Sequence, residues 1–301
     1  MRHGASVAVG NAPPSWKGRV MTEMRPVSIP GGTVVAAAAG SGDTVVLVQT
    51  ALLADGFLPL SGSLVRAGHH VVLYHRRGYG ESSAVGAEGS VHQDAEDCRA
   101  LLSRIGLNRP HVVSASYGAA VALELAASWP QEVQSLTLIE PPPVIAPAVA
   151  AEFLAANSAI MALYRKDGPD VALDSFLSKL VGARWRAMFE QWLPGSVEQM
   201  TRDSDAFFQH DVPALIEWRF DDHDAARITC PVMYVGGSAS GRWFAAVRRQ
   251  VRSWFPAAED ALLHDADHNL VLAHTDQVST AVAGFIGRQS SGERGLDHPR
   301  E

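Results

Sequence analysis

Ser116 has the surroundings of a catalytic nucleophile, since it lies in the run Ser-Ala-Ser-Tyr-Gly over residues 114–118. An apolar stretch over 111–113 precedes this run and an alanine- and leucine-rich stretch over 119–126 follows it, which predicts a strand, a sharp turn and a helix. Such a turn is strained and lifts the serine hydroxyl clear of the sheet edge toward a helix N-terminus, as nucleophilic attack requires. Taken alone, the string fits a plain strand-to-helix turn equally well.

A serine hydroxyl is a weak nucleophile at neutral pH and needs a base within hydrogen-bond reach, usually a histidine. The chain contains 12 histidines, so residue type alone selects none of them. Near the C-terminus, His264 lies in a strand pattern, His268 follows that strand and His274 starts a helix. His264 and His268 with Asp265 and Asp267 could also suggest a metal site. Because that spacing puts both histidines on one face only in a helix, we expect no metal there.

Apolar runs and helical periodicities alternate along most of the chain. We predict a β-hairpin over 25–29 and 33–39, strands at 44–48, 70–74, 111–113, 135–139, 231–235 and near 261–263, and helices at 57–67, 91–105, 117–128, 241–253 and 276–286. Strands that alternate with helices imply a parallel sheet with helices on both faces. Ligands of such a sheet bind beyond the carboxyl ends of the strands, which is where the serine is expected.

The alternation breaks between residues 141 and 228, which look helical throughout and carry many large apolar side chains. We expect this segment to form a helical cap over the nucleophile and to line an apolar pocket. The core then consists of residues 25–140 and 229–287. Residues 1–24 are expected to be a flexible leader, and residues 288–301 a disordered polar tail.

The composition is that of an ordinary soluble protein, with 301 residues, 47% hydrophobic and 19% charged, and a net charge of −7. No basic stripe or polybasic segment predicts a nucleic-acid or membrane partner. The most apolar stretch, 143–163, contains proline and glutamate and is expected to be a poor membrane span. Cys98 on a helical pattern and Cys230 at the start of a strand suggest a reducing compartment, and hence a cytoplasmic location. We expect no cofactor, and the oligomeric state stays open.

With this order of elements and the turn at Ser116, the chain resembles the α/β-hydrolase fold family, in its capped branch with a serine nucleophile, over roughly residues 25–287. Four segments carry the resemblance: 47–51 (LVQTA), 74–82 (YHRRGYGES), 114–118 (SASYG) and 265–269 (DADHN). The resemblance implies an eight-stranded, mostly parallel sheet with helices on both faces and a helical cap inserted after the sixth strand. It says less about the reaction, because this fold hosts many.

The resemblance assigns the base to His268, which follows the last strand in the place and order that the family uses. The family's acid usually follows the seventh strand, but the loop at 236–241 (GGSASG) contains no carboxylate. Our candidate acid is Glu140 at the end of the sixth strand, where some relatives such as the haloalkane dehalogenases carry theirs. The structural alternative is a Glu140 that caps a turn or pairs with an arginine. Asp265 and Asp267 rank lower, because neighbours in sequence rarely face each other.

The oxyanion hole is expected to consist of backbone N–H groups, since developing negative charge needs preorganised donors. One donor would be Tyr117, at the N-terminus of the helix after the nucleophile, and the other Thr50 or Ala51 after the third strand. The usual His-Gly of that loop is Gln49-Thr50 here, and either side chain could donate to substrate directly. We expect the string at 76–80 to be a structural turn, because its glycine spacing fits no phosphate-binding motif.

Three functions compete at this point. The first is a serine hydrolase of the carboxylesterase, thioesterase or lactonase type, which transfers the acyl group of a hydrophobic small molecule to Ser116. The second is a lyase or cyclase of secondary metabolism on the same scaffold, and the third is a small-molecule binding protein whose catalytic machinery has decayed. The missing acid after the seventh strand motivates the second and third. We favour the first, and serine at 116 in place of aspartate argues against dehalogenase or epoxide hydrolase chemistry.

Overall fold

The computed structural model describes residues 23–86 and 89–294, with side chains as far as residue 290. The expected leader, apart from its last two residues, therefore lies outside the described residues. The strands are β1 (Arg25–Ile29), β2 (Gly32–Ala39), β3 (Thr44–Val48), β4 (His70–His75), β5 (His111–Ala115), β6 (Ser135–Ile139), β7 (Val232–Gly237) and β8 (Glu259–Leu263).

Within the described residues these strands form one sheet in the order β1-β2-β4-β3-β5-β6-β7-β8. The pairs β1–β2 and β2–β4 are antiparallel, and the other neighbouring pairs are parallel. The eight-stranded, mostly parallel sheet expected from the sequence is therefore confirmed. The parallel strands place their carboxyl ends at one edge, where Ser116 follows β5 and Glu140 follows β6.

The helices are α1 (Leu58–Arg66), α2 (Val91–Arg104), α3 (Tyr117–Ser128), α4 (Pro147–Asp167), α5 (Pro169–Val181), α6 (Trp185–Trp192), α7 (Ser196–Arg202), α8 (Ser204–Ala206), α9 (Val212–Glu217), α10 (Asp222–Ala226), α11 (Gly241–Trp254), α12 (Leu270–Ala273) and α13 (Thr275–Arg294). Short 3-10 turns lie at Pro130–Glu132 and Pro143–Ile145, and a π-helical turn spans Phe207–Asp211. Helix α2 begins after Ser90, whose hydroxyl accepts a hydrogen bond from the Gln93 N–H at 3.1 Å.

Apolar layers cover both faces of the sheet, as the alternation along β3 shows. Val46 and Val48 face the layer that includes α2 and α3, whereas Val45 and Leu47 face the layer that includes α1 and α13. A strand buried on both faces needs a continuous apolar run, and this is why β3 could be recognised from its sequence.

Helices α4 to α10 lie between β6 and β7 in the chain and form the cap. Its apolar core includes Trp185, Phe207 and Phe208, and it is shared with Leu52 and Leu53 from the loop after β3. Most of the large apolar side chains noted in the sequence therefore belong to the core of the cap. The cap also packs directly on the loop that we expect to supply an oxyanion donor.

Helix α4 could cross a membrane by length and composition, although we expected this stretch to be a poor span. Pro147 lies in the first turn, where proline is tolerated, so it opens the helix and does not interrupt it. Only 17% of the most apolar window is buried. Its exposed positions include Ala155 and Ala159, whereas Ile160 is buried in the cap core. An alanine-rich helix of a cap can have the same length and composition as a membrane span. These two properties of α4 are therefore weak evidence for a membrane span.

The C-terminal helix extends further than the sequence suggested. Helix α13 continues to Arg294, so the disordered tail that we expected from residue 288 is wrong for its first seven residues. Ser290 is 8% exposed, and its hydroxyl donates to the Asp43 carboxylate at 2.6 Å. This hydrogen bond ties the end of α13 to the segment before β3, although the polar composition of residues 288–301 predicted disorder there.

Candidate active site

Ser116 stands at the turn between β5 and α3 with φ 49° and ψ −121°, which residues other than glycine rarely adopt. Its N–H donates to the Ile139 carbonyl oxygen at 3.0 Å, which ties the turn to the end of β6. Gly118 is needed behind the turn, because a Cβ there would lie 2.4 Å from the carbonyl oxygen of Val48. The strained turn expected from the sequence is present, and strand and helix approach each other closely behind it.

Glu140 and His268 are in direct contact. Nδ1 of His268 lies 2.7 Å from Oε2 of Glu140, a carboxylate that is 1% exposed. The N–H of Gly237 donates to the other carboxylate oxygen, Oε1, at 2.8 Å. A carboxylate at Nδ1 fixes the imidazole tautomer and leaves Nε2 able to accept a proton. This arrangement suits a base that is oriented by an acid.

The path of the chain explains how an acid from the sixth strand reaches the histidine. Glu140 directly follows β6 with φ 43°, and its N–H donates to the Val235 carbonyl oxygen at 3.1 Å. Gly237 has to be glycine, because a Cβ there would lie 2.1 Å from the carbonyl oxygen of Ala266. The loop after β7 contains no carboxylate of its own, but its Gly237 N–H donates the hydrogen bond that holds Glu140 at the end of β6.

His268 is packed on an aromatic ring that the sequence did not identify. Its imidazole stacks on Phe244 of α11, with ring centroids 4.1 Å apart and an interplanar angle of 18°. His264, by contrast, is 89% exposed and pairs with Asp265 at 2.9 Å. Asp267 accepts a hydrogen bond from the Asn269 N–H at 2.9 Å. Neither aspartate beside His268 in sequence therefore takes the place of Glu140.

Ser116 and His268 line the same cavity, whose volume is about 100 Å³. Thr50 and Ala51 from the loop after β3 line it as well. The rest of its wall is largely apolar and includes Leu53, Ile139, Phe176, Leu177, Phe189 and Met200. The structure thus brings together the expected nucleophile, the expected base and the loop expected to carry an oxyanion donor, under an apolar roof from the cap.

Gln49 does not line this cavity, where we expected its side chain to meet substrate. It is fully buried, and its Oε1 accepts a hydrogen bond from the Arg76 N–H at 2.6 Å. Its Nε2 has no partner among the described residues. The side chain is turned away from the cavity because the Arg76 N–H in the turn after β4 needs an acceptor, and the Gln49 amide oxygen provides it.

Arg76 anchors the loop that carries Thr50 and Ala51. The side chain is 1% exposed, and its guanidinium donates to the carbonyl oxygens of Gln49, at 3.3 Å, and Thr50, at 3.5 Å. The string at 76–80 is a turn, as expected, but its first arginine also fixes the path of the neighbouring loop. The usual glycine of that loop is replaced by Thr50, whose carbonyl oxygen is one of the two that Arg76 contacts.

Two buried carboxylates neutralise Arg76. It donates to Asp94 of α2 at 2.9 Å and to Asp211 of the cap at 2.8 Å. His210 of the cap lies 3.1 Å from the same Asp94 oxygen. Burial acts to raise the pKa of Asp94, but the charge of Arg76 and the hydrogen bond from His210 outweigh it and hold that pKa below its ordinary value. The network joins the cap to the core with fully buried charges, and the sequence did not predict it.

Asp94, His210 and Asp211 are also close enough together to share a metal ion. The guanidinium of Arg76 bonds to both carboxylates, so this cluster already contains its own positive group. The chemistry of the set is therefore that of a structural ion-pair network.

A second concave region is larger than the cavity beside Ser116, but it lies away from Ser116 and His268. This groove of about 550 Å³ is lined by Asp97, Asn108 and Pro110 among others, beside the amino end of β5. Neither Ser116 nor His268 belongs to it. Since parallel sheets bind ligands at the carboxyl ends of their strands, the smaller cavity is the candidate site.

A model of the alpha/beta hydrolase fold family matches residues 44–275. A protein from Variovorax paradoxus (strain S110), named as a candidate carbamate hydrolase, RutD, is 37% identical over 82 residues, which is 27% of this chain and 31% of that protein. The match thus spans about a third of that relative's length.

Solved structures are similar over nearly the whole chain. The enol-lactonase from Burkholderia xenovorans LB400 superposes with a TM-score of 0.74 at 16% identity, covering 87% of this chain and 100% of that one. A thermophilic esterase from Thermogutta terrifontis superposes with a TM-score of 0.72 at 18% identity, covering 89% and 99%. At these identities the likeness shows the fold.

Proposed function

This chain belongs to the α/β-hydrolase fold family, and on that basis we propose that it is a serine hydrolase acting on an ester, thioester or lactone of a hydrophobic small molecule. The observation that carries the proposal is the convergence of Ser116 and His268 on one cavity, with Nδ1 of His268 held 2.7 Å from buried Glu140. These are the three roles that acyl transfer to serine needs, namely a nucleophile, a base and a group that orients the base.

In the proposed reaction, Nε2 of His268 takes the proton of the Ser116 hydroxyl as Oγ attacks the substrate carbonyl carbon. Glu140 keeps the proton of the imidazole on Nδ1 and stabilises the imidazolium that forms. The bond to the leaving group then breaks, and the leaving group takes the proton from Nε2. Water, activated by the same imidazole, hydrolyses the acyl-serine and returns the serine hydroxyl.

Backbone N–H groups of Tyr117 and of Thr50 or Ala51 are proposed to stabilise the oxyanion. Tyr117 is the first residue of α3, where the N–H groups of the first turn lack intrahelical acceptors and the helix dipole favours negative charge. The second donor lies on the loop after β3, where the Arg76 guanidinium donates hydrogen bonds to the carbonyl oxygens of Gln49 and Thr50. One proposed donor therefore lies on helix α3, and the other lies on a loop that Arg76 contacts.

The nature of the cavity wall supports a hydrophobic substrate. Leucine, isoleucine, methionine and phenylalanine side chains dominate the wall around Ser116, which disfavours sugars and highly charged molecules. Three of the similar proteins, named as a candidate carbamate hydrolase, an enol-lactonase and an esterase, have names that denote substrates with a carbonyl carbon bonded to a heteroatom. That shared chemistry is the reaction we propose for this chain.

The proposal is tested by a fluorophosphonate probe together with the burst of p-nitrophenol from p-nitrophenyl acetate. The wild-type protein should be labelled on Ser116 and should show a burst, whereas Ser116→Ala should show neither. Equal labelling and turnover by Ser116→Ala would overturn the assignment. Turnover of a natural substrate without any acyl-serine would instead favour the lyase or cyclase, and binding without turnover the decayed enzyme.

We also propose a cytoplasmic location. The proposal is supported by Cys98 and Cys230, both of which are free thiols in the structure. Burial raises the pKa of the Cys98 thiol to about 12, so this cysteine stays protonated and unreactive.

A further inference from the structure

His268 lines two cavities. The inner cavity, described above, contains Ser116, Thr50 and Ala51. An outer cavity of about 350 Å³ lies between α4, α5 and α11 and contains His268 but not Ser116. Phe176 and Leu180 of α5 line both cavities and so stand at the boundary between them.

In acyl transfer to serine, the acyl part and the leaving group of the substrate have to lie in different places around the His268 imidazole. The carbonyl oxygen of the substrate has to face the N–H groups beside Ser116, whereas the leaving group has to lie where Nε2 of His268 can give it a proton. The acyl part therefore occupies the cavity that holds the serine and the oxyanion loop. Of Ser116 and His268, only His268 also lines the outer cavity, so the leaving group points toward that cavity.

We infer that the inner cavity is the acyl subsite and the outer cavity the leaving-group subsite, so that the enzyme prefers short acyl groups on large, neutral, aromatic alcohols. This inference rests on the proposed function and adds the substrate class to it. Ser116 Oγ bonds to the short acyl carbonyl, the ester C–O bond breaks, and the aromatic alcohol leaves with the proton from His268. Water then releases the short-chain acid.

The volumes set the size limits. A buried cavity of about 150 Å³ accommodates benzene, with six carbons, and the inner cavity is smaller at about 100 Å³. It therefore suits acyl groups of about four carbons or fewer. The outer cavity, at about 350 Å³, has room for a two-ring group.

The walls of the outer cavity set the chemistry of the leaving group. Phe153 of α4 and Trp243 of α11 form an edge-to-face pair with centroids 5.7 Å apart, and both line the cavity together with Phe244. Aromatic walls of this kind pack well against an aromatic ligand.

Two of the charged groups that line the outer cavity, Glu152 and Arg242, pair with each other. Asp267 is held by the Asn269 backbone and side chain. Lys179 is exposed at the rim. A neutral leaving group therefore fits the interior of this subsite better than a charged one.

The test uses two ester series on the purified full chain. In the acyl series, p-nitrophenyl acetate, butyrate and octanoate share one leaving group, and kcat/KM should fall about tenfold or more between butyrate and octanoate. In the leaving-group series, phenyl acetate and 2-naphthyl acetate share one acyl group, and kcat/KM should rise about threefold or more for the naphthyl ester. Acyl-Ser116 is trapped by acid quench and detected by peptide mass in the same reactions.

Variants at the boundary test which residues separate the subsites. Phe176→Ala should open the inner cavity into the outer one and raise kcat/KM for the octanoate about tenfold relative to wild type. Leu180→Ala is a second variant of the same wall, in case the first does not fold. Val171→Ala, on the same helix but 48% exposed, is the matched control and should leave the profile unchanged.

The outcomes separate the inference from the proposed function. Acylation of Ser116 together with a preference for octanoate, or a naphthyl ester that reacts more slowly than the phenyl ester, overturns the subsite assignment alone. Folded Phe176→Ala and Leu180→Ala proteins that keep the wild-type acyl profile also overturn it. No acylation of Ser116 by any ester overturns the proposed function and this inference with it.

Discussion

The hydroxyl of Tyr117 donates to Oδ2 of Asp94 at 2.7 Å, while the backbone N–H of the same tyrosine is a proposed oxyanion donor. The same carboxylate oxygen accepts a hydrogen bond from Arg76 at 2.9 Å and lies 3.1 Å from Nε2 of His210. The guanidinium of Arg76 also lies 4.2 Å from the centre of the Tyr117 ring. One buried carboxylate thus holds Tyr117, the arginine that bonds to the loop after β3, and His210 of the cap.

Removing the charge of Asp94 should therefore weaken both the fold and the active site. Asp94→Asn leaves Asp211 as the only carboxylate among the described residues that is bonded to Arg76, and it takes the bonded carboxylate from His210. Removing one partner from a buried charged network of this kind costs about 3–5 kcal/mol of unfolding free energy. Tyr117→Phe removes only one hydrogen bond and should cost about 1 kcal/mol. Urea unfolding followed by circular dichroism measures both values. A loss no larger for Asp94→Asn than for Tyr117→Phe would contradict the central place given to Asp94.

The same network should make the stability of the protein depend on pH through His210. Burial acts to lower the pKa of this imidazole, but the hydrogen bond and charge of Asp94 and the charge of Asp211 outweigh burial and raise it. A histidine with a raised pKa stabilises the fold below the ordinary pKa of about 6.5, and that contribution is lost as the pH rises through the raised pKa. The melting temperature of the wild type should thus exceed that of His210→Gln most at about pH 6 and least at about pH 9.

His264→Gln is the matched control for this measurement, since its imidazole is 89% exposed and lies outside the network. Its melting temperature should follow that of the wild type at every pH. The interpretation fails if His210→Gln shows the same pH dependence as the wild type, or if the difference between them grows toward alkaline pH.

Glu140→Gln should reduce kcat far more than it reduces stability. The amide keeps the size of the side chain but cannot hold the Nδ1–H tautomer or stabilise the imidazolium, and the equivalent change in a serine protease triad costs about 10⁴-fold in kcat. Asp265→Asn is the matched control, because that carboxylate is 85% exposed and pairs with His264. Steady-state kinetics on p-nitrophenyl acetate decide the point, and near-wild-type activity of Glu140→Gln would mean that another group orients His268.

Local patterns were sufficient to predict the strands, most of the helices and the turn at Ser116, because the end of β5, this turn and the start of α3 are encoded within a few neighbouring residues. The contact between Glu140 and His268 spans 128 residues, and only the family resemblance pointed to it. The contact between Asp94 and His210 spans 116 residues. No pattern marks it, because an aspartate on α2 that binds a buried arginine looks like a surface aspartate in sequence. The misplacement of Gln49 has the same origin, since its role depends on Arg76.

A methyl group at position 118 should damage the site even though alanine is a better helix former than glycine. In Gly118→Ala the new Cβ would lie 2.4 Å from the Val48 oxygen and 2.7 Å from the Gln49 oxygen, both of them backbone atoms. Either α3 or the oxyanion loop has to move, so we expect a loss of about 1–3 kcal/mol or more in unfolding free energy, together with a lower kcat.

Gly287→Ala gives the contrast, since outside the neighbouring backbone of α13 no atom of the described residues lies within 4 Å of the Cβ it would add. That change should leave kcat unchanged and stabilise the protein by about 0.5–1 kcal/mol, because alanine loses less backbone entropy than glycine in a helix. Urea denaturation of the two variants beside the wild type measures the difference. A Gly118→Ala protein as stable and active as Gly287→Ala would show that the strand and helix do not approach as closely as the turn at Ser116 requires.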